Sequence, residues 1–202
     1  MCYWPIKFKG EFLRWLLSYL NVQFKEHNPA NSVQWGIIKS KLSSKNPLIS
    51  LPYLYDHTID KVTCQSEAIS FAIALRYGGK QLLGRDGIEI IFHRSVQESL
   101  KTIREFAFKC MDYTVAELQE SFSDQVSFRV APKLRYMDQM IRKDFKFMFG
   151  EVTLVDFEIA HVVLLLDFIA ENTGVRNPFS DFYRLYNIAE NVLALPGVKQ
   201  YF

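Results

Sequence analysis

The sequence predicts an α/β unit followed by an all-α unit, and three observations carry that reading. Strand and helix patterns alternate as far as Tyr77; only helical patterns follow; and a glycine-punctuated connector, Tyr77-Gly78-Gly79 and then Gly84-Arg85-Asp86-Gly87, lies between. The two units are therefore placed at 1–78 and 87–202.

Each element has its own justification. From Glu11 to Leu20, Phe12, Leu16 and Leu20 share one stripe with Leu13 and Leu17 beside it, the spacing of an amphipathic helix. Val22 to Lys25 reads as a short strand, with Val22 and Phe24 on one side. Ser50 to Tyr55 reads as a second strand, and Lys61 to Cys64 as a third after the turn-like Asp56-His57-Thr58. A helical pattern returns from Gln65 to Tyr77, with Ala68, Ile69, Ala72, Ile73 and Leu75 apolar. Beyond the connector the helices run from Ile88 to Tyr113, Asp124 to Lys143, Thr153 to Ala170 and Asp181 to Leu193. Thr153-Leu154-Val155-Asp156 is a capping box. The helix it opens is apolar nearly all round, through Leu154, Val155, Phe157, Ile159, Val162, Val163, Leu165 and Leu166, and is expected at the centre of the helical unit.

Composition narrows the function classes. With 49% hydrophobic and 23% charged residues the chain has no disorder signature. A net charge of +2 is too small to imply nucleic acid or a membrane surface. The 3 cysteines are far apart and lack C-x-x-C spacing, which argues against a disulfide framework and for a reducing compartment. Met1-Cys2-Tyr3-Trp4-Pro5 has no basic-then-apolar layout. The most apolar stretch, Ile159 to Ile169, holds His161 and Asp167 and is too short to span a bilayer. A soluble, cytoplasmic protein is expected. His27, His57, His93 and His161 show no metal-ligand spacing, so no metal is expected, and no nucleophile elbow, Walker loop or dinucleotide fingerprint occurs.

Two short stretches point to a ligand. Ser50-Leu51-Pro52 leads into a strand with a proline where an edge stays open to an extended peptide backbone. Gln65-Ser66 opens a helix whose free N–H groups, dipole and hydroxyl suit a carboxylate. Together they describe a site for a small, anionic, peptide-like molecule.

In order and spacing these stretches resemble the soluble glutathione transferases, nearest the mu class. Cys2-Tyr3-Trp4 through Arg14-Trp15-Leu16-Leu17 looks like the family's first strand and helix, and Gln34-Trp35 with Lys39 like its contact to the glycine carboxylate. Ser50-Leu51-Pro52-Tyr53-Leu54 resembles the cis-proline strand, and Thr63-Cys64-Gln65-Ser66-Glu67-Ala68-Ile69 the γ-glutamyl site. Gly150 to Phe157 looks like the buried capping-box helix. The resemblance spans nearly the whole chain.

It implies a thioredoxin-like first domain, an all-helical second domain and a homodimer. It also implies a reaction: conjugation of the glutathione thiolate to a small hydrophobic electrophile, with the Tyr3 hydroxyl stabilising the thiolate. Glutathione contacts carry over to Trp4, Lys9, Trp35, Lys39, Ser50, Leu51, Pro52, Gln65 and Ser66, and an electrophile pocket to Phe106, Cys110 and Tyr113. The chain departs from the pattern in Lys7-Phe8-Lys9, where the family has Arg-Gly-Leu, and in Ser50, where it has asparagine. Those departures imply the alternative of a transferase-fold binding or structural subunit, weak or inactive in turnover, within a larger assembly.

Overall fold

A single rung of four residues, rather than long strands, organises the first unit. In the computed structural model, which describes residues 1–201, strand β1 (Tyr53–Asp56) pairs antiparallel with β2 (Lys61–Cys64), Tyr53 opposite Cys64. Cys2 bridges Tyr53 antiparallel on one side and His27 parallel on the other. The Cys2 N–H donates to the Tyr53 carbonyl at 2.9 Å and the Tyr53 N–H returns a bond to Cys2 at 3.0 Å. The rung thus reads His27, Cys2, Tyr53, Cys64, in a reduced thioredoxin-like arrangement.

The expected strand Val22–Lys25 is not formed: a single bridge at His27 joins this segment to Cys2, and at Lys25 only the carbonyl is engaged, by the Met1 amine at 2.7 Å. Pro29, which has no N–H to donate, follows His27 by two residues. The expected strand from Ser50 starts only at Tyr53, since Pro52 likewise cannot donate to a ladder.

Helix α1 (Glu11–Tyr19) buries Phe12, Leu13, Trp15, Leu16 and Leu17, as its stripe requires. Helix α2 (Ser32–Leu42) was not legible in the periodicity: Val33 and Ile37 face solvent while Trp35, Ile38 and Leu42 lean on the core of Cys2, Ile49, Tyr53, Val62 and Cys64. Its start is fixed by Asn31, whose side chain accepts the Gln34 N–H at 2.9 Å. Helix α3 (Ser66–Ile73) runs on into a π-helical turn, Ala74–Gly78.

Met1–Gly79 and the chain end from Pro196 form one unit by their contacts, and Lys80–Leu195 the other. The chain end packs on α1, and Gly197 shows why a glycine stands there: a Cβ would meet the Ser18 carbonyl oxygen at 2.4 Å.

The second unit contains α4 (Lys80–Leu83), α5 (Gly87–Cys110), α6 (Val115–Gln125), α7 (Ala131–Met140), α8 (Leu154–Thr173) and α9 (Tyr183–Leu193). Helix α6 begins well before the expected Asp124, because Thr114 and Glu117 form a second capping box. A π-helical turn, Val126–Val130, joins it to α7. Helix α8 is the predicted core element, packed between α5 and α9. Its first turn is tied by Asp156, fully buried, which accepts the Met148 N–H at 2.7 Å, the Thr153 N–H at 2.7 Å and the Thr153 hydroxyl at 2.9 Å. Among the described residues no helix is long and apolar enough to cross a membrane.

Candidate functional site

Strand pairing brings candidate residues together. Tyr3 follows Cys2, Pro52 precedes Tyr53 and Gln65 follows Cys64, so the antiparallel Cys2–Tyr53–Cys64 rung leaves all three at the same end of the sheet. Helix α3 begins there.

Tyr3 is 6% exposed. Its ring lies flat against Gly10, where an added Cβ would stand 2.6 Å from Tyr3 Cδ1. The hydroxyl accepts the backbone N–H of Lys9. Burial raises the phenol above its ordinary pKa, against the opposing pull of that N–H and of Arg14. The group therefore keeps its proton at neutral pH.

Arg14, buried on α1, holds the loop after Tyr3. Its Nη1 donates to the Ile6 carbonyl at 3.2 Å and to Glu11 Oε2 at 2.9 Å, Nη2 to the Trp4 carbonyl at 3.3 Å, and Nε to Glu26 Oε1 at 2.6 Å. Sequence reasoning missed Glu11, Arg14 and Glu26. The signal was present: Arg14 interrupts the apolar run Phe12 to Leu17 with Glu11 three residues before it, and charged residues persist on such a face only when paired.

Gly10→Ala tests the seat of Tyr3. The backbone at residue 10 is right-handed helical (φ −90°, ψ −17°), where alanine alone stabilises by about 0.4–1 kcal/mol. The collision with the ring is expected to reverse that sign, costing about 1–3 kcal/mol in denaturant unfolding. A variant at least as stable as the parent contradicts the packing.

The remaining glutathione candidates divide between this end of the sheet and its flanks. The Leu51–Pro52 peptide bond is cis, and among the described residues neither the N–H nor the C=O of Leu51 takes a hydrogen bond. Gln65 sits at φ 71°, ψ 121°, a conformation that costs a non-glycine residue roughly 1–3 kcal/mol. Its Nε2 donates to Ser50 Oγ at 3.3 Å, joining two candidates, and it caps none of the first N–H groups of α3. Ser66 is buried, its hydroxyl donating to Glu67 Oε2 at 3.0 Å.

Trp4 is half-buried beside Tyr3, and Lys9 is exposed. Trp35 stacks on Tyr53 at 6.2 Å between centroids, with Lys39 exposed one turn further along α2. In the second unit, Phe106 and Cys110 face the interior. Phe106 packs on Phe122 at 5.8 Å, and burial pushes the Cys110 thiol up to about 11. Tyr113, beyond the end of α5, is exposed. No group of acid, thiol and imidazole side chains among the described residues is arranged to hold a metal.

Residues 1–74 match the family described as glutathione S-transferase, N-terminal domain, a stretch that holds every glutathione candidate. No curated protein matches the chain. Among solved structures, the fold is similar to that of prostaglandin synthase D of Nilaparvata lugens, with a TM-score of 0.75 and 21% identity over 99% of this chain and 94% of that one. It is equally similar to rat hPGDS complexed with a quinoline, with a TM-score of 0.75 and 21% identity over 99% of this chain and 93% of that one. At that identity the likeness speaks for the fold: a thioredoxin-like unit followed by a helical one.

Proposed function

We propose that the first unit binds glutathione and that the protein is a glutathione transferase, joining the glutathione thiolate to a small hydrophobic electrophile. The observation that carries this reading is the grouping of Tyr3, Pro52 and Gln65 at one end of the sheet. Leu51 offers its open backbone to the central residue of the ligand. The α3 N-terminus, with Gln65 and Ser66, takes the γ-glutamyl carboxylate, which displaces Glu67 from the Ser66 hydroxyl. Trp35 and Lys39 receive the glycine carboxylate, the feature that favours a mu-like site. The Tyr3 hydroxyl donates to sulfur.

A free thiol has a pKa of about 8.5, so little thiolate exists at neutral pH. A hydrogen bond to a charged partner contributes roughly 1.5–3 kcal/mol. At about 1.4 kcal/mol per pKa unit, one phenol lowers the thiol by one to two units.

The second reading, a binding or structural subunit with little turnover, is favoured by the 6% exposure of Tyr3 together with Lys7-Phe8-Lys9. Retention on immobilised glutathione followed by turnover of a generic aryl halide separates the two. Retention with turnover supports the enzyme, retention without turnover the subunit, and no retention removes both.

The cytoplasm suits this chemistry, and the free thiols of Cys2, Cys64 and Cys110 are consistent with a reducing compartment. We propose a homodimer in which Leu48, 76% exposed, inserts into the partner. Sedimentation at micromolar concentration is expected to show twice the chain mass, falling toward one chain in Leu48→Asp. A parent that sediments as a monomer contradicts it.

A further inference from the structure

A cleft of about 610 Å³ lies within the second unit, between the α6–α7 segment and the loop that follows α8. That volume is ordinary for a small-molecule site. Part of its lining is apolar: the buried rings of Phe122 and Phe182, with Val126. The lining also carries the donors Arg135, Arg176 and the hydroxyls of Ser123 and Ser127, and one carboxylate, Asp181.

The two arginines differ. Arg176 is engaged, its Nε donating to Ser180 Oγ at 3.2 Å and its Nη2 to Asp181 Oδ1 at 2.5 Å. Arg135, exposed on α7, has no acidic partner among the described residues. The cleft thus carries one uncompensated positive charge beside an aromatic wall.

Its walls are also tied in place. Gln119 Nε2 donates to the Thr173 carbonyl at 2.9 Å, linking α6 to the end of α8, and Asn177 accepts the Phe179 N–H at 2.8 Å. Helix α8 closes at Gly174 in a left-handed conformation (φ 72°), which turns the loop along the cleft. The π-helical turn Val126–Val130 contributes Val126 and Ser127, and such turns recur at functional sites. A site already shaped and held loses less ordering freedom on binding.

We propose that this cleft binds a small amphipathic monoanion, an aryl or alkyl carboxylate or sulfonate, with its charge on Arg135 and its apolar body against Phe122, Val126 and Phe182. The site stands on its own residues and does not rest on the glutathione reading.

Calorimetric titration with 2-naphthoate and its neutral analogue 2-naphthamide tests the proposal on the full chain, with glutathione present throughout. The parent is expected to bind the carboxylate at least tenfold more tightly than the amide, in keeping with a charge-assisted hydrogen bond. Arg135→Ala is expected to erase that difference, and Ser127→Trp, which fills the cleft from the exposed side, to abolish binding of both. Equal affinity for the two compounds, no binding of naphthoate at millimolar concentration, or unchanged binding in both variants overturns the proposal.

Discussion

Tyr3→Phe is expected to leave glutathione binding nearly intact and to remove most turnover at neutral pH. The phenol supplies one hydrogen bond to sulfur, whereas the rest of the tripeptide is held by the Leu51 backbone, the α3 N-terminus, Trp35 and Lys39. Losing roughly 1.5–3 kcal/mol of thiolate stabilisation raises the bound thiol by about one to two pKa units. The rate of aryl-halide conjugation at pH 7, where the thiolate fraction drops from about a quarter to three quarters down to about 3%, is therefore expected to fall about eight- to twenty-fivefold. The pH–rate profile of the variant should shift upward by the same shift of about one to two units, so that activity recovers in alkaline solution. An unshifted profile, or a loss of binding to match the loss of turnover, assigns Tyr3 a packing role instead. The seat of the ring on Gly10 makes phenylalanine a fair replacement, since it keeps that contact and removes only the hydroxyl.

Asp156→Ala is expected to be the most destabilising single change in the helical unit. It removes three hydrogen bonds and leaves the N–H groups of Met148 and Thr153 buried without acceptors. An orphaned buried donor costs about 1–3 kcal/mol, so the total is on the order of 3–5 kcal/mol. That corresponds to a thermal midpoint lowered by about 10 °C or more. Affinity for glutathione at low temperature should persist, because the cap lies in the other unit. A variant with parental thermal stability and no glutathione binding would falsify the structural role.

The same carboxyl gives a pH signature. Burial raises Asp156 from 3.8 to about 6, even though the N–H and hydroxyl donors around it favour the charged form. A carboxyl raised on folding binds its proton more tightly in the native state, so its contribution is full below pH 4 and is lost as pH rises through 6. Asp156→Asn does not titrate there. The stability of the parent relative to Asp156→Asn should therefore decline between pH 4 and pH 7, by about 3 kcal/mol at 1.4 kcal/mol per unit. A gap that is constant across this range contradicts the shift.

How much of this was legible in the sequence depends on whether the cause was local. The α8 capping box and its apolar run are local, and the helix forms where they lie. The apolar stripe of α1 is equally direct. Helix α2 was hidden because its apolar residues split between solvent and core, which blurs a 3.6-residue stripe. The start of α6 carries a local signal in Thr114 and Glu117, whose spacing marks a cap, although the residues between them and Asp124 lack a clear apolar stripe. The strand expected at Val22–Lys25 failed for a non-local reason, since pairing depends on what lies opposite, and that is only the short segment around Cys2.

The site divides along the same line. Tyr3, Pro52 and Gln65 were recognisable one by one, but their place at one end of the sheet follows from the pairing of Cys2, Tyr53 and Cys64, residues far apart in sequence. Arg14 illustrates the converse: its partners Trp4, Ile6 and Glu26 meet only in the fold, although its place on a buried face was readable beforehand.

The central claim is that the Tyr3 hydroxyl lowers the pKa of a bound thiol, and thiolate absorbance of the glutathione complex titrated against pH tests it most directly. The complex should develop thiolate absorbance with a midpoint about one to two units below that of free glutathione, and Tyr3→Phe should move the midpoint back toward it. A bound thiol that titrates like the free one contradicts the account.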